Sequence, residues 1–428
     1  MTDIKILKEK ILSGELNSEL SELYTSDEDK LAFAQKRYID ALEQFENFFP
    51  DKTQVEIFSA PGRTEICGNH TDHNNGKTLA GAINLDAIAV VSKCEGEIEI
   101  HSEGFSPDRV SLSDMDYNES EKNTSKALIK GVCAALKEYG YDFGGFVAYT
   151  TSNVLKGSGV SSSAAFEVLI STILNHLYNE GKIDAVTVAK ASQYAENKFF
   201  GKPCGLLDQT ASSVGGFITI DFKDSKNPEI NKIDFDFEKS GFTLCIVDTG
   251  ANHADLTDEY ASIPSEMKSV AAFFGKETLR GISRTDILEN AKSLKEKCGD
   301  RALLRALHFV DENDRVEKTA NALIKGDVKD FLKQIRRSGR SSFMYLQNVY
   351  SSLNVKEQSL SLALCLSDGI LGTEGAFRVH GGGFGGTIQA FVPNEKINEY
   401  KNAMDSVFGK DACKVLNIRA QGGVKVFG

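Results

Sequence analysis

Residues 68–76, GNHTDHNNG, set two histidines, an aspartate and three amides between two glycines. Two chemistries suit those groups. His70, Asp72 and His73 could ligate a metal ion, or the same side chains could donate and accept hydrogen bonds around a polyhydroxylated ligand. A second stretch, KGSGVSSSAA from Lys156, places Gly157 and Gly159 where a backbone could approach a ligand closely. Ser161, Ser162 and Ser163 stand where they can cap the apolar helix that follows, with Ser158 and Val160 between the glycines and that start. Free N–H groups and the positive end of the dipole make such a helix start an anion site, and serine hydroxyls there can hold Mg2+ beside phosphate oxygens. The plainer alternative is a serine-capped core helix. Two other glycine-rich stretches fail in context. GKT at 76–78 has Thr71 where a P-loop needs glycine, and GGGFGG at 381–386 runs into strand-like TIQAFV where a dinucleotide motif needs a helix.

The elements that must carry these groups mix helices and strands without strict alternation, which favours an α+β fold. Residues 3–49 space apolar groups at three and four, the helical period. QVEIFSAPGR reads as a strand running into a loop at Pro61–Gly62, and TLAGAINLDAIAVVSKC, EIEIHSE and FGGFVAYTTSNV as further strands. SKALIKGVCAALKEYG is a helix ending at Gly140, and Phe166, Leu169, Ile170, Ile173 and Leu177 mark the helix after the serines. KDSKNPEINK, residues 223–232, reads as a polar link between two lobes, with a mostly helical region from about 258 to 367 beyond it. At 428 residues, two packed lobes are expected.

Composition excludes several classes. The formal net charge of -12 argues against a general nucleic-acid or anionic-membrane binder. The first residues, MTDIKILKEKIL, lack the apolar core of a signal peptide, and no run is long enough to span a bilayer. The eight cysteines contain no CxxC pair, the pattern of buried, reduced thiols in a cytoplasmic protein.

PGRTEICGNHTDHNNG, GSGVSSSAA and RVHGGGFGG resemble, in order, the three motifs of the GHMP small-molecule kinases, the first most like the galactokinase branch. AENKFFGKPCGLLDQ and LTDEYASI extend the likeness, which covers residues 33 to 428. The resemblance implies a two-lobed kinase with its active site between the lobes: residues 1–32 as a helical extension, 33–225 as the N-terminal lobe and 233–428 as the C-terminal lobe. It implies ATP and Mg2+, a small sugar as acceptor, and transfer to the sugar's 1-hydroxyl. Asp208 matches the aspartate beside that hydroxyl, and Arg63 the arginine that keeps it ionised. Ser163 and Glu196 match the residues that face Mg2+, and the backbone from Gly157 to Ser162 matches the phosphate wrap. Asn69, His70, Asp72, Gly205 and Tyr260 match sugar-binding positions, and Gly382 and Gly383 belong to the third motif. In this light the first motif is a sugar grip rather than a metal site.

Departures concern the substrates. The family's glutamate before the histidine, which contacts the sugar's terminal hydroxymethyl group, is Asn69 here, and its asparagine two residues after the arginine is Glu65. Losing that glutamate would admit a uronate, so galacturonate stands beside galactose as an expected acceptor. An aromatic pair before the ALIKGVCAAL helix is replaced by Ser125 and Leu128, and the proline before the phosphate loop by Leu155. From another class, a sugar-sensing regulator on the same fold is the alternative; the retained Arg63, Asp208, Ser163 and Glu196 argue against it.

Overall fold

The computed structural model describes residues 1–25, 27–154, 160–250 and 256–428. The chain opens with a two-residue strand, β1 (Thr2–Asp3), and three helices, α1 (Ile4–Leu12), α2 (Asn17–Leu23) and α3 (Glu28–Phe48). Asp3 and Asp27 cap α1 and α3 through their side chains, satisfying N–H groups that lack a partner inside the helix. There follow β2 (Gln54–Cys67), β3 (Lys77–Lys93), β4 (Glu97–Ser102), β5 (Asp108–Ser111), α4 (Ser125–Glu138) and β6 (Phe146–Ser152). Then come α5 (Ser162–Asn179), α6 (Ala185–Tyr194), α7 (Leu207–Val214), β7 (Phe217–Asp221) and β8 (Glu229–Ile233). The second half has β9 (Phe242–Asp248), α8 (Thr257–Phe273), α9 (Arg284–Glu289), α10 (Ala291–Cys298), α11 (Asp300–Ile324) and α12 (Val328–Ser341). It closes with α13 (Ser359–Leu371), β10 (Ala376–Val379), β11 (Thr387–Pro393), α14 (Ile397–Phe408), β12 (Cys413–Leu416) and β13 (Val424–Phe427).

Among the described residues nine strands form the first sheet, along the path β1-β2-β3-β6-β4-β5, with β13 beside β2, β7 beside β3 and β8 beside β7. The long β3 is its axis: it pairs with β2 over most of its length, with β6 through residues 87–93 and with β7 through 77–81. The four strands β10-β11-β9-β12 make the second sheet, all antiparallel. Mixed pairing with segregated helices is the α+β architecture the pattern predicts.

Both faces of the first sheet are covered. On one, Phe58, Val91, Ile100 and Phe146 pack under α4, α5 and α6. Helix α5 is buried nearly all round, as expected for one wedged between a sheet and other helices, and Leu169, Ile170, Ile173 and Leu177 are buried as their spacing predicts. On the other face, Ile4, Leu7, Ile11, Leu20 and Leu23 join Tyr38, Leu42 and Phe45 of α3 against Val55, Ile57, Ile88 and Val90. The first thirty residues therefore share a core with the sheet, α3 runs across residue 33, and β13 returns from the second half to pair with β2. A third core, with Ile66, Leu79, Val160, Phe331 and Phe391, joins the two halves.

One ionic cluster locks the first of these layers. Asp86, in the middle of β3 and fully buried, accepts hydrogen bonds from Tyr24 Oη (2.6 Å), Arg419 Nη1 (3.1 Å), Ser59 and Arg37. Burial alone would raise the Asp86 carboxyl; Arg37 and Arg419 outweigh it and hold the group below its ordinary value. Arg37 also donates to the carbonyls of Asp86 (2.9 Å) and Thr151 (3.2 Å).

Three local readings are corrected. Strand β2 does not stop at Pro61–Gly62 but runs on to Cys67, because a bulge between the Pro61 and Arg63 pairings takes up the irregularity. The polar stretch 223–232 is not a free link: Glu229–Ile233 pairs antiparallel with β7, so only its first half is a turn. All eight cysteines are free, but only Cys67, Cys133, Cys245 and Cys413 are buried, and Cys365 is exposed. Among the described residues no helix is long and apolar enough to cross a membrane.

Candidate active site

Arg63, near the end of β2, and Asp208, in the first turn of α7, meet as a bidentate pair: Nε to Oδ1 at 2.6 Å and Nη2 to Oδ2 at 2.8 Å. A planar fork on both carboxylate oxygens fixes the orientation of Asp208 as well as its charge. Gly62 makes the approach possible. Its Cβ, were there one, would stand 2.8 Å from the Val160 carbonyl, and that carbonyl accepts from the Arg63 N–H at 3.1 Å. The strand with the arginine and the segment leading into α5 are thus stitched together.

Ser161 is where the sequence reading of the phosphate loop changes. It precedes α5 with φ 58° and ψ 65°, a left-handed conformation unusual for serine, and its hydroxyl donates to Asp208 Oδ2 instead of capping the helix. Among the described residues no side chain caps α5, so the N–H groups of its first turn stay open to an anion. Gly157, Ser158 and Gly159 lie outside the described residues; Val160, Ser161, Ser162 and Ser163 lead into or start α5.

Ser163 Oγ donates to Glu196 Oε1 at 3.3 Å. Glu196 lies in the π-helical turn Ala195–Phe200 that continues α6, a local distortion often found at functional sites. Its carboxylate is buried and also accepts from Lys202 Nζ (3.1 Å) and Gln209 Nε2 (2.8 Å), the residue after Asp208. Gln209 Nε2 further reaches Glu167 Oε2 at 3.2 Å, and burial pushes the Glu167 carboxyl well up. A hydroxyl and a carboxylate oxygen side by side fit the donor set of Mg2+, which takes one or two carboxylates and fills its other positions with water and phosphate oxygens.

Between Asp208 and the first motif lies a small cavity of about 190 Å³, walled by Glu65, Asp72, Thr78, Gly205, Leu207 and Asp208 among others. That is below the 300–1,000 Å³ of sites for drug-sized ligands and suits one compact polar molecule. A larger cavity, about 1160 Å³, opens between α3 and the 101–107 segment and reaches Asn153, but none of the expected catalytic residues lines it.

Of the expected sugar residues, Asp72 and Gly205 line the small cavity; Asn69, His70 and Tyr260 are tied to the third motif instead. His70 Nε2 pairs with the Gly382 carbonyl (2.9 Å), and Tyr260 Oη donates to the Gly383 carbonyl (2.7 Å). Gly383 has φ +85°, and a Cβ there would fall 2.0 Å from the Asn348 carbonyl, so no other residue fits. Asn69 is fully buried. Its Nδ2 donates to Glu65 Oε1 (3.0 Å) and the Gly381 carbonyl (2.7 Å), and its Oδ1 accepts from Asn348 Nδ2 (2.8 Å) and Ser342 Oγ (3.3 Å). The Asn69 amide, expected to meet the sugar, is thus fully engaged inside the protein, with no part of it left over. Glu65, absent from the expected set, is a carboxylate on the cavity wall beside Asp72 and Asp208, where burial raises its carboxyl and Arg378 and Arg63 pull the other way. The two departures in the first motif are one exchange, glutamate for asparagine and back, joined by a hydrogen bond. The motive for a uronate acceptor goes with it.

Three histidines, His308 and His380 buried and His70 half-buried, bolt the halves together around this site. His380 Nε2 accepts from the Glu65 N–H at 3.2 Å, and His308 Nε2 meets the Asn69 carbonyl at 3.0 Å. Burial lowers all three imidazoles: His70 to about 4, His308 below its ordinary value, and His380 well below it with help from Arg63 and Arg378. A lowered histidine contributes stability in full above the unfolded value of about 6.5 and loses it as pH falls toward the folded value, up to about 1.4 kcal/mol per pH unit for each ring. Unfolding by urea should therefore give a midpoint that is steady from pH 8 to 7 and falls steeply from pH 6.5 toward 5. A midpoint flat over that lower range would contradict neutral histidines here.

The fold and this arrangement define a GHMP-type small-molecule kinase. The description "GHMP kinases N terminal domain" matches residues 127–216. A solved mevalonate kinase shares the fold at TM-score 0.57 and 16% identity, covering 84% of this chain and 99% of that one. A Lactococcus lactis galactokinase complexed with galactose superposes at TM-score 0.74 and 23% identity, over 90% of this chain and 98% of that one. The galactokinase galactose-binding signature matches residues 43–93. Galactokinases of Streptomyces coelicolor and Clostridium tetani are 31% and 30% identical over 368 and 355 residues, 85% and 82% of this chain and 91% and 88% of theirs. The chain belongs to the galactokinase family of sugar kinases.

Proposed function

We propose that the protein transfers the γ-phosphoryl group of ATP to the 1-hydroxyl of galactose, giving galactose 1-phosphate and ADP. The observation that carries the reading is the Arg63–Asp208 fork beside a cavity sized for one compact polyol. The acceptor hydroxyl lies against Asp208, which takes its proton as the new P–O bond forms and the bond from the γ-phosphorus to ADP breaks. Arg63 keeps Asp208 ionised and faces the charge that develops beside it. The open first turn of α5, with Gly157 to Ser162 leading into it, cradles the phosphates. Ser163 and Glu196 would hold Mg2+, which when bound neutralises charge on the phosphate oxygens. Asp72 and Gly205 shape the sugar side, and Tyr260, Gly382 and Gly383 close it from the second half, with His70 of the first motif bonded to the Gly382 carbonyl. The free thiols fit a reducing cytoplasm.

Coupled ADP release with ATP and Mg2+ tests this against galactose, galacturonate, glucose and N-acetylgalactosamine. Galactose should give the highest kcat/KM. Sugar binding without turnover of any of the four would make the protein a sensor and overturn the proposal.

A further inference from the structure

We infer that Glu65 sets sugar specificity: it presents a fixed carboxylate to a hydroxyl on the far side of the ring from the reacting one, and makes the cavity reject anionic sugars. The inference rests on the sugar-kinase reading above and deepens it.

Position comes first. Glu65 follows Arg63 by two residues on a regularly paired stretch of β2, Arg63 opposite Ala82 and Glu65 opposite Ala80. Alternate residues of a strand leave the same face, roughly 6–7 Å apart, a span one hexose ring bridges. Arg63 grips Asp208 at one end, so Glu65 stands at the other.

Preorganisation comes second. Glu65 Oε1 accepts from Arg378 Nη2 at 2.9 Å and from Asn69 Nδ2 at 3.0 Å. Arg378 is fully buried and anchored by its other nitrogen to the Ile66 carbonyl at 2.8 Å, so the carboxylate cannot swing away. Oε2 takes no hydrogen bond from a described residue, and the side chain lines the cavity. An acceptor held in that way offers a hydroxyl a bond without reorganising.

Charge comes third. Among the described residues, the cavity walls carry three carboxylates, Glu65, Asp72 and Asp208, and no lysine, arginine or histidine. Hydroxyl donors find acceptors there, whereas an incoming carboxylate meets the like charge of these three groups.

The test compares wild type with Glu65→Gln on galactose, 6-deoxygalactose and galacturonate, in the coupled ADP-release assay. The glutamine keeps an oxygen for Arg378 and Asn69, and urea unfolding checks that it folds. For wild type, galacturonate should be at least about 100-fold below galactose in kcat/KM, and should inhibit galactose turnover only far above the galactose KM. In Glu65→Gln the galactose KM should rise about tenfold or more with kcat largely kept, and the galactose-to-galacturonate ratio should shrink by at least about tenfold. Wild type that uses or binds galacturonate as well as galactose would overturn the inference whatever the variant does. So would a folded Glu65→Gln with an unchanged KM and ratio. Wild type that turns over no sugar at all would overturn the kinase reading, and this inference with it.

Discussion

Asp208→Asn is expected to lower kcat by about 10³-fold, within the 10²–10⁴ range for removing a positioned proton acceptor, while galactose still binds. The substitution keeps an oxygen for Arg63 and removes only the charge and the proton-accepting capacity. Because Asp208 is partly exposed at the start of α7, the fold should survive with its unfolding midpoint little changed. Arg63→Lys is the companion: it keeps the positive charge but cannot reproduce the two-point fork, so about a 10- to 100-fold loss in kcat is expected. Single-turnover kinetics separate chemistry from product release and check both values. A kcat within fivefold of wild type for Asp208→Asn would remove Asp208 from the proposed chemistry.

The largest stability effect should come from Asp86→Asn. Arg419 and Arg37 both lean on this carboxylate, Arg419 in complete burial, and taking the charge away leaves two guanidinium groups uncompensated. Breaking a buried pair from one side costs about 3–5 kcal/mol, far more than the net worth of the pair. A fall of that size in unfolding free energy, read from urea midpoints at pH 7.5, is the expected result. A change under about 1 kcal/mol would mean the cluster is not what joins these layers. The effect should reach the active site too. The Asp86 N–H donates to Asn153 Oδ1 at 2.6 Å and its carbonyl accepts from the Asn153 N–H at 3.1 Å, just past the end of β6 and two residues before Leu155 in the sequence. The ATP KM should rise with the loss of stability.

Much of this site was legible because its parts are local. The glycines and serines before α5, the Arg63 and Asp208 motifs and the third-motif glycines are recognisable from neighbours in the chain, and the structure brings Arg63 and Asp208 into contact. What was not legible depends on partners far away in sequence. Asn69 and Glu65 could be compared with a family pattern one position at a time, but which of them faces the cavity is decided by Asn348, Ser342, Gly381 and Arg378. Gly68, at φ +103°, and His70, at φ 57°, turn the chain on either side of Asn69, so the period of two that would have placed its side chain fails there. Ser161 read as a cap because serine before a helix usually is one; its left-handed backbone sends the hydroxyl to Asp208 instead. Asp86 carries a signal of its own in the sequence, a lone carboxylate inside the apolar run AINLDAIAVV. A charge there must be paired in the core, and its partners come from α3 and the C-terminal segment. The same long-range logic explains why residues 1–32 read as an addition: their apolar spacing predicts helices, but only the folded sheet shows the surface they cover.

The proposed reaction puts the phosphoryl group on the sugar oxygen held beside Asp208. Phosphorus NMR of the product formed from galactose, ATP and Mg2+ tests it most directly. A single new resonance coupled to the anomeric proton, missing with Asp208→Asn, is the predicted result. Phosphate on the 6-oxygen, or ADP and inorganic phosphate with no sugar phosphate, would contradict it.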